Sequence, residues 1–156
     1  MRAELRPTQV APGAVLEVAG TQHRVIGSLR FDWAGTQWGE HCIESTPGPN
    51  QWLSIRPRGA PTVVHWTPRY DLFGDPDPAG MTMDGRQWTL LEAGTAAYDA
   101  EGDTGTGSRG SCDFVEFSDA EGLLVFESFD GGVWEISLGR LVDPSLLRSY
   151  REVVGD

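Results

Sequence analysis

The sequence predicts a mainly β protein: two similar antiparallel β units, arranged as a pseudo-twofold sandwich or barrel, followed by a short C-terminal helix. Three observations predict it. Apolar and polar residues alternate through most of the 156-residue chain, the period-2 pattern of strands with one buried face. Turn-forming Gly, Asp and Pro clusters break that pattern at short intervals. The order of segments in the first half also returns in the second.

Residues 1–12 are polar, carry Pro7 and Pro12, and read as a flexible lead-in to a single β domain over 13–156. VLEVAG is a first short strand ending at the turn pair Ala19-Gly20. TQHRVIGSLRFDW follows, with His23, Val25, Gly27, Leu29 and Phe31 expected on one face and Ile26 breaking the alternation. After Ala34-Gly35, WGEHCIES sets Trp38, Glu40 and Cys42 on one side and His41 and Ile43 on the other. TPGPN is a loop, QWLSIRP a strand, PRGAP a turn and PTVVHWTP another strand. The Asp-, Pro- and Gly-rich stretch RYDLFGDPDPAG then connects the halves.

The second half runs MTMDG, RQWTLLEAGTAAYD, a Gly-rich loop EGDTGTGSRGS, then CDFVEFSD, LLVFESFD and GGVWEISLGRLV. VLEVAGTQHRVIGS resembles MTMDGRQWTLLEAG, and HCIES resembles SCDFVEFSD, with Cys42 against Cys112. The halves, about 13–70 and 81–142, therefore read as a duplicated five-strand unit whose copies must bury their apolar faces against each other. Shared alternation alone would give a similar likeness. Beyond them, Asp143 as N-cap, Pro144 at the first position and apolar residues at near-helical spacing predict a helix over 144–154.

A formal charge of −11 disfavours nucleic acid and anionic membrane surfaces, and leaves a protein partner or a cationic small molecule open. All twelve basic residues are Arg. There is no apolar run long enough to span a membrane, so no direct membrane insertion is expected. The N-terminal MRAELRPTQV lacks the apolar core of a signal peptide. A cytoplasmic location follows as the expectation, with Cys42 and Cys112 as reduced, buried thiols.

Glu40 shares its face with Trp38 and Cys42, where a carboxylate could be held protonated or could simply pair with an Arg. Glu127 shares its face with Val125 and Phe129. If the halves are related by a pseudo-twofold, these two carboxylates face one cleft, suited to hydrolysis or to a cationic ligand. His23, His41, His65, Cys42 and Cys112 lack the spacing of a metal site, so neither metal nor cofactor is expected. Cys42 has no signature of an activating base, and GDTGTGSRG lacks the ending of a phosphate loop. Trp33, Trp66 and Trp52 lie beside turns, where partly exposed rings would form an interaction patch.

GAVLEVAGTQHRVIGSLRFD, WGEHCIES and QWLSI together resemble the opening of the bacterial family called domain of unknown function 4178. Val25 and Gly27 match its V-x-G step, Trp38 and Glu40 its W-x-E step, and Trp52-Leu53 its W-L step. FESFDGGVWEISLGRLVDP resembles the closing stretch, placing Glu127, Trp134, Gly139 and Arg140 there. The resemblance covers about residues 13–145, with His23 and His41 standing where the family has Tyr or another aromatic. It implies no agreed activity. It implies instead a genomic neighbourhood of membrane-stress, ion-channel-like and polyamine-enzyme-like proteins. The expectation drawn from all this is a non-enzymatic binding or adaptor domain, protein-interacting, in a bacterial envelope- or stress-related system. The alternative is a small-molecule binder or enzyme for a cationic, polyamine-like ligand, using carboxylates in a cleft between the halves.

Overall fold

The computed structural model describes residues 1–45, 48–57 and 62–153. The strands are β1 (Arg2–Glu4), β2 (Val15–Val18), β3 (Thr21–Trp33), β4 (Thr36–Ile43), β5 (Gln51–Arg56), β6 (Thr62–Pro68), β7 (Met81–Met83), β8 (Arg86–Gly102), β9 (Arg109–Ser118), β10 (Leu123–Phe129), β11 (Glu135–Val142) and β12 (Leu147–Glu152). Parts of the TPGPN loop and the PRGAP turn, and Val154 of the expected helix, lie outside the described residues.

The strands form one antiparallel sheet in the order β1-β12-β2-β3-β4-β5-β6-β11-β10-β9-β8-β7. β3 pairs with β8 as well, Gly27 opposite Gly102 and Asp32 opposite Ala97. That contact closes β3, β4, β5, β6, β11, β10, β9 and β8 into an eight-stranded ring. Closure removes sheet edges from the ring itself. The outermost strands, β1 and β7, have only three residues each.

The ring walls carry apolar side chains on both faces. Outside β3–β6, the N-terminal segment and β2 bury Val10, Leu16, Val25, Ile43, Leu53 and Ile55 in one core. Outside β8–β11, the β7–β8 hairpin and Leu72 cover Trp88, Phe117, Leu124, Phe126 and Ile136 in another. Inside lie Leu29, Phe31, Trp38, Phe114 and their neighbours. This is why LLVFESF is almost continuously buried rather than alternating.

The halves share a connectivity. β2–β6 and β7–β11 are both meanders; their second strands meet at β3–β8 and their last strands at β6–β11. Both opening hairpins turn on two residues of positive φ, Ala19-Gly20 and Asp84-Gly85, the geometry that matches strand twist. Both second strands carry a bulge, between Val25 and Gly27 and between Leu90 and Glu92.

The β3 bulge corrects one expectation. His23, Val25, Leu29 and Phe31 do not share a face: Val25 joins the outer core, while Leu29 and Phe31 face the lumen. The extra residue flips the side-chain parity as β3 passes from its pairing with β2 to its pairing with β8. Ile26, the break in the alternation, marks that place.

The C-terminal helix is also corrected. Asp143 caps, and Pro144 opens, only a single 3-10 turn ending at Leu146. Leu147–Glu152 is instead strand β12, inserted between β1 and β2. Two open strand flanks offer a full ladder of hydrogen bonds, and this tertiary context overrides a weak helical spacing. Arg148 reaches Glu4 at 2.7 Å and Glu17 at 4.0 Å, and Arg2 stacks on Tyr150. The N-terminal lead-in thereby acquires partners, and Val10 is fully buried.

Gly27 sits where the GDTGTGSRG loop crosses the ring. A Cβ there would lie 1.9 Å from the Asp103 carbonyl oxygen, a backbone atom that cannot turn aside. Gly27→Ala is expected to cost about 1–3 kcal/mol, read as a lowered denaturation midpoint with an unchanged slope.

Candidate functional site

The lumen follows from alternation in every wall strand. Trp38 and Glu40 face inward from β4, Trp52, Ser54 and Arg56 from β5, and Val64 and Trp66 from β6. Cys112, Phe114 and Glu116 face inward from β9, Val125 and Glu127 from β10, and Ser137 from β11. These groups enclose a cavity of about 1000 Å3, at the upper end for a small-molecule site and in keeping with eight-stranded barrels that hold one ligand.

Among the described residues five carboxyl groups line this cavity: Glu40, Glu92, Glu116, Glu127 and Glu135. Two of them stand directly opposite two others across ladders, Glu127 against Glu135 and Glu92 against Glu116. Among the described residues Arg56 and Arg69 are the arginines that line the cavity, and Arg56 is the one set among the carboxylates. Its guanidinium donates to Glu92 at 2.5 Å and lies over the Trp38 ring at 4.7 Å. Arg69 lines the mouth but is engaged by Asp71 and Asp84.

Glu40 and Glu127 come from β4 and β10, opposite walls of the ring, and both line this cavity, where each shifts the other's titration. The surface they expose faces the cavity. Burial lifts Glu127 well above the ordinary carboxylate range, and the charges of Glu40, Glu135 and Glu116 add to it. Burial raises Glu40 as well, opposed by the hydrogen bond from Trp38, by Glu127 and by the charge of Arg56. Of the two, Glu127 is raised the more, so it is the one that holds its proton longer as the pH rises. Trp38 Nε1 donates to Glu40 Oε2 at 3.1 Å. Glu116 is pushed up to about 7, by burial first and then by Glu92.

The pair singled out from sequence thus converges. The three tryptophans do not form an exposed patch. Trp66 is buried with its Nε1 donating to Ser54 Oγ at 3.0 Å, and Trp52 lines the lumen. Trp33 is half-buried, edge-on to Phe114 at 5.1 Å. Rings beside turns stay covered because a barrel, unlike a sandwich, offers its inner face up to the strand ends. Glu116, Glu92 and Arg56 were missed. Glu116 alternates with Cys112 and Phe114 as Glu40 does with Trp38 and Cys42, a signal that was available. Glu92 was hidden by the bulge at its own position.

The remaining candidates fall elsewhere. His41 is fully buried on the outer side of β4, its Nδ1 2.8 Å from Ser28 Oγ, its Nε2 without a hydrogen-bond partner among the described residues, and its pKa lowered to about 3 by burial. His23 and His65 meet edge to face at 6.4 Å. Burial holds the Cys42 thiol up at about 11 and raises Cys112 further, so both stay protonated. Among the described residues no three His, Cys, Asp or Glu side chains are grouped to hold a metal ion, and no helix is long and apolar enough to cross a membrane. Gly139, one of the motif positions, lies under the Trp66 ring, where a Cβ would come within 2.5 Å. Leu53 is in the outer core and Arg140 is exposed.

The family model described as Domain of unknown function (DUF4178) matches residues 11–144. The chain belongs to this family. Uncharacterized proteins of Mycobacterium bovis and Mycobacterium tuberculosis are each 34% identical to this DUF4178 chain over 153 residues, covering 92% of it and 73% of the relative. No solved structure matches it. The motif residues that carry the resemblance include both members of the central pair, Glu40 and Glu127, with Trp38 and Trp52 on the same lumen wall.

Proposed function

We propose that this DUF4178 barrel is a receptor for a small organic cation, bound in the lumen between aromatic rings and carboxylates. One observation carries the reading: among the described residues five glutamates and the rings of Trp38, Trp52 and Trp66 line one cavity, against two arginines, of which Arg69 is engaged by Asp71 and Asp84. Aromatic faces attract cations through the ring quadrupole, more strongly where water is excluded. The crowded carboxylates supply the opposite charge. Trp66 is buried, and Trp52 and Trp33 are half-buried, so these rings support the lumen reading rather than a docking patch. The matching strand order of the halves supports a duplicated unit whose two copies close around one binding space.

The test uses probes of one length and three charges: hexyltrimethylammonium, hexanol and hexanoate. The cation should quench tryptophan fluorescence and raise the melting temperature, with a gain of about 2.7 kcal/mol at a hundredfold excess over Kd. Hexanoate should do neither. An equal response to hexanol would show an apolar cavity without charge preference and overturn the proposal.

A further inference from the structure

We propose that the natural occupant is an amphiphilic cation, an ammonium carrying a long or bulky apolar group, and that this group leaves the barrel across Tyr70, Phe73 and Val133. This rests on the cation-receptor reading and specifies the apolar part of its ligand.

Three large apolar side chains stand at one mouth of the lumen. Tyr70, Phe73 and Val133 line the cavity, yet they are 73%, 83% and 83% exposed. A lone exposed apolar side chain is ordinary, whereas a group of them around a concave site marks a binding surface. Tyr70 and Phe73 follow β6, and Val133 precedes β11. The pairing of those strands sets Ser137 opposite Pro68, and the Arg69 N–H donates to the Ile136 carbonyl at 2.9 Å. The three side chains are thereby brought to one end of the ring.

Their exposure is not the fraying of a loose loop. Arg69 is paired with Asp71 at 2.8 Å and with Asp84 at 3.0 Å. Leu72 packs against the outer core that holds Trp88 and Phe126. These ties fix the segment from the outer side and leave Tyr70 and Phe73 to the cavity.

The carboxylates begin just inside this mouth. Glu135 lies two residues beyond Val133, about 7 Å along an extended chain, and stands opposite Glu127 in the ladder. An ammonium held by these two glutamates has its substituents at the mouth. A small cation leaves Tyr70, Phe73 and Val133 in water. An apolar substituent covers them and loses its own hydrated surface, which is favourable. The cavity of about 1000 Å3 is likewise larger than a small ammonium needs and suits a drug-sized occupant.

Isothermal titration with hexyl-, octyl- and decyltrimethylammonium, each below the concentration at which it forms micelles, tests this. Affinity should rise about two- to fourfold per methylene, fourfold corresponding to full burial of a CH2, with one probe bound per chain. Decanol and decanoate should bind far more weakly than the decyl cation. The double variant Phe73→Ser, Val133→Ser should cut the gain from hexyl to decyl about tenfold. Both side chains are so exposed that the melting temperature should change little. Leu146→Ser, a like change at an exposed position away from the cavity, should leave the gain intact.

Affinity that does not grow with chain length, or a gain that the double variant keeps, overturns the inference and leaves the receptor reading standing. So does a dimer in solution that the double variant dissociates, because a second copy then covers the mouth. Several probes bound per chain mean adsorption to the acidic surface and also overturn the inference. Equal binding of decanol, or no binding of any cation, overturns both.

Discussion

The unliganded protein should lose stability as the pH rises from about 5 to about 8, with Glu116 alone contributing about 3 kcal/mol. In the unfolded chain Glu116 titrates near 4.5; in the folded barrel it titrates at about 7. Between those values the folded state holds a proton that the unfolded state has released. That contribution is fully present below about 4.5 and is lost as the pH climbs through 7. Glu127, raised by burial and by Glu40, acts in the same direction. The acid limb runs the other way. Asp119, bound by Arg86, and Asp71, bound by Arg69, are both held at about 2, so their pairings fail only as the pH falls below the ordinary Asp value of 3.8. Maximum stability should therefore lie on the acidic side, around pH 4–5, below the usual range for globular proteins. Melting curves across this span should show a fall of roughly 6–12 °C toward the alkaline end. Glu116→Gln, uncharged at every pH, should flatten much of that slope. A wild-type curve that is level from pH 5 to 8 would mean the lumen does not hold its protons.

Much of this site was legible in the residues, and what was not had a definite cause. The period-2 patterns of WGEHCIES and LLVFESFD put Glu40 and Glu127 on apolar faces, and the similarity of the halves suggested a common cleft. Alternation says which side a residue takes; it does not say whether that side is the inside of a closed ring. Closure depends on β3 meeting β8, a pairing about seventy residues apart along the chain, and no local pattern encodes it. The two bulges hide most of the rest. Each inverts the parity of its strand, moving Val25 outward and Glu92 inward. The C-terminal segment failed differently. Asp143 and Pro144 are sound helix-start signals, and they do begin a turn, but the unpaired flanks of β1 and β2 then draw the chain into a strand.

Arg56→Met should destabilise the barrel by about 3 kcal/mol near pH 8 and by much less near pH 5. Arg56 stands among Glu92, Glu116 and Glu40. It donates to Glu92 at 2.5 Å, and its charge lowers both Glu116 and Glu40. Removing it leaves partly buried carboxylates facing one another without the guanidinium that Glu92 is paired to. The figure is taken at the low end for a broken buried pair because a third of the Arg56 side chain remains exposed. Methionine keeps the aliphatic stem against Trp38 but forfeits the cation–ring contact, worth about 1 kcal/mol. Near pH 5 Glu116 is already protonated, so little repulsion is left to release. The other half of the pair gives the opposite result. Glu92→Gln removes a negative charge from a crowded acidic wall and leaves Arg56 to Glu116, so its effect near pH 8 should be small or stabilising. Combined with Arg56→Met, it should restore part of the lost stability, a coupling that separates charge from packing. Equal losses for Arg56→Met at both pH values would assign the arginine a packing role on Trp38. The carboxylates would then be shown to tolerate one another without it.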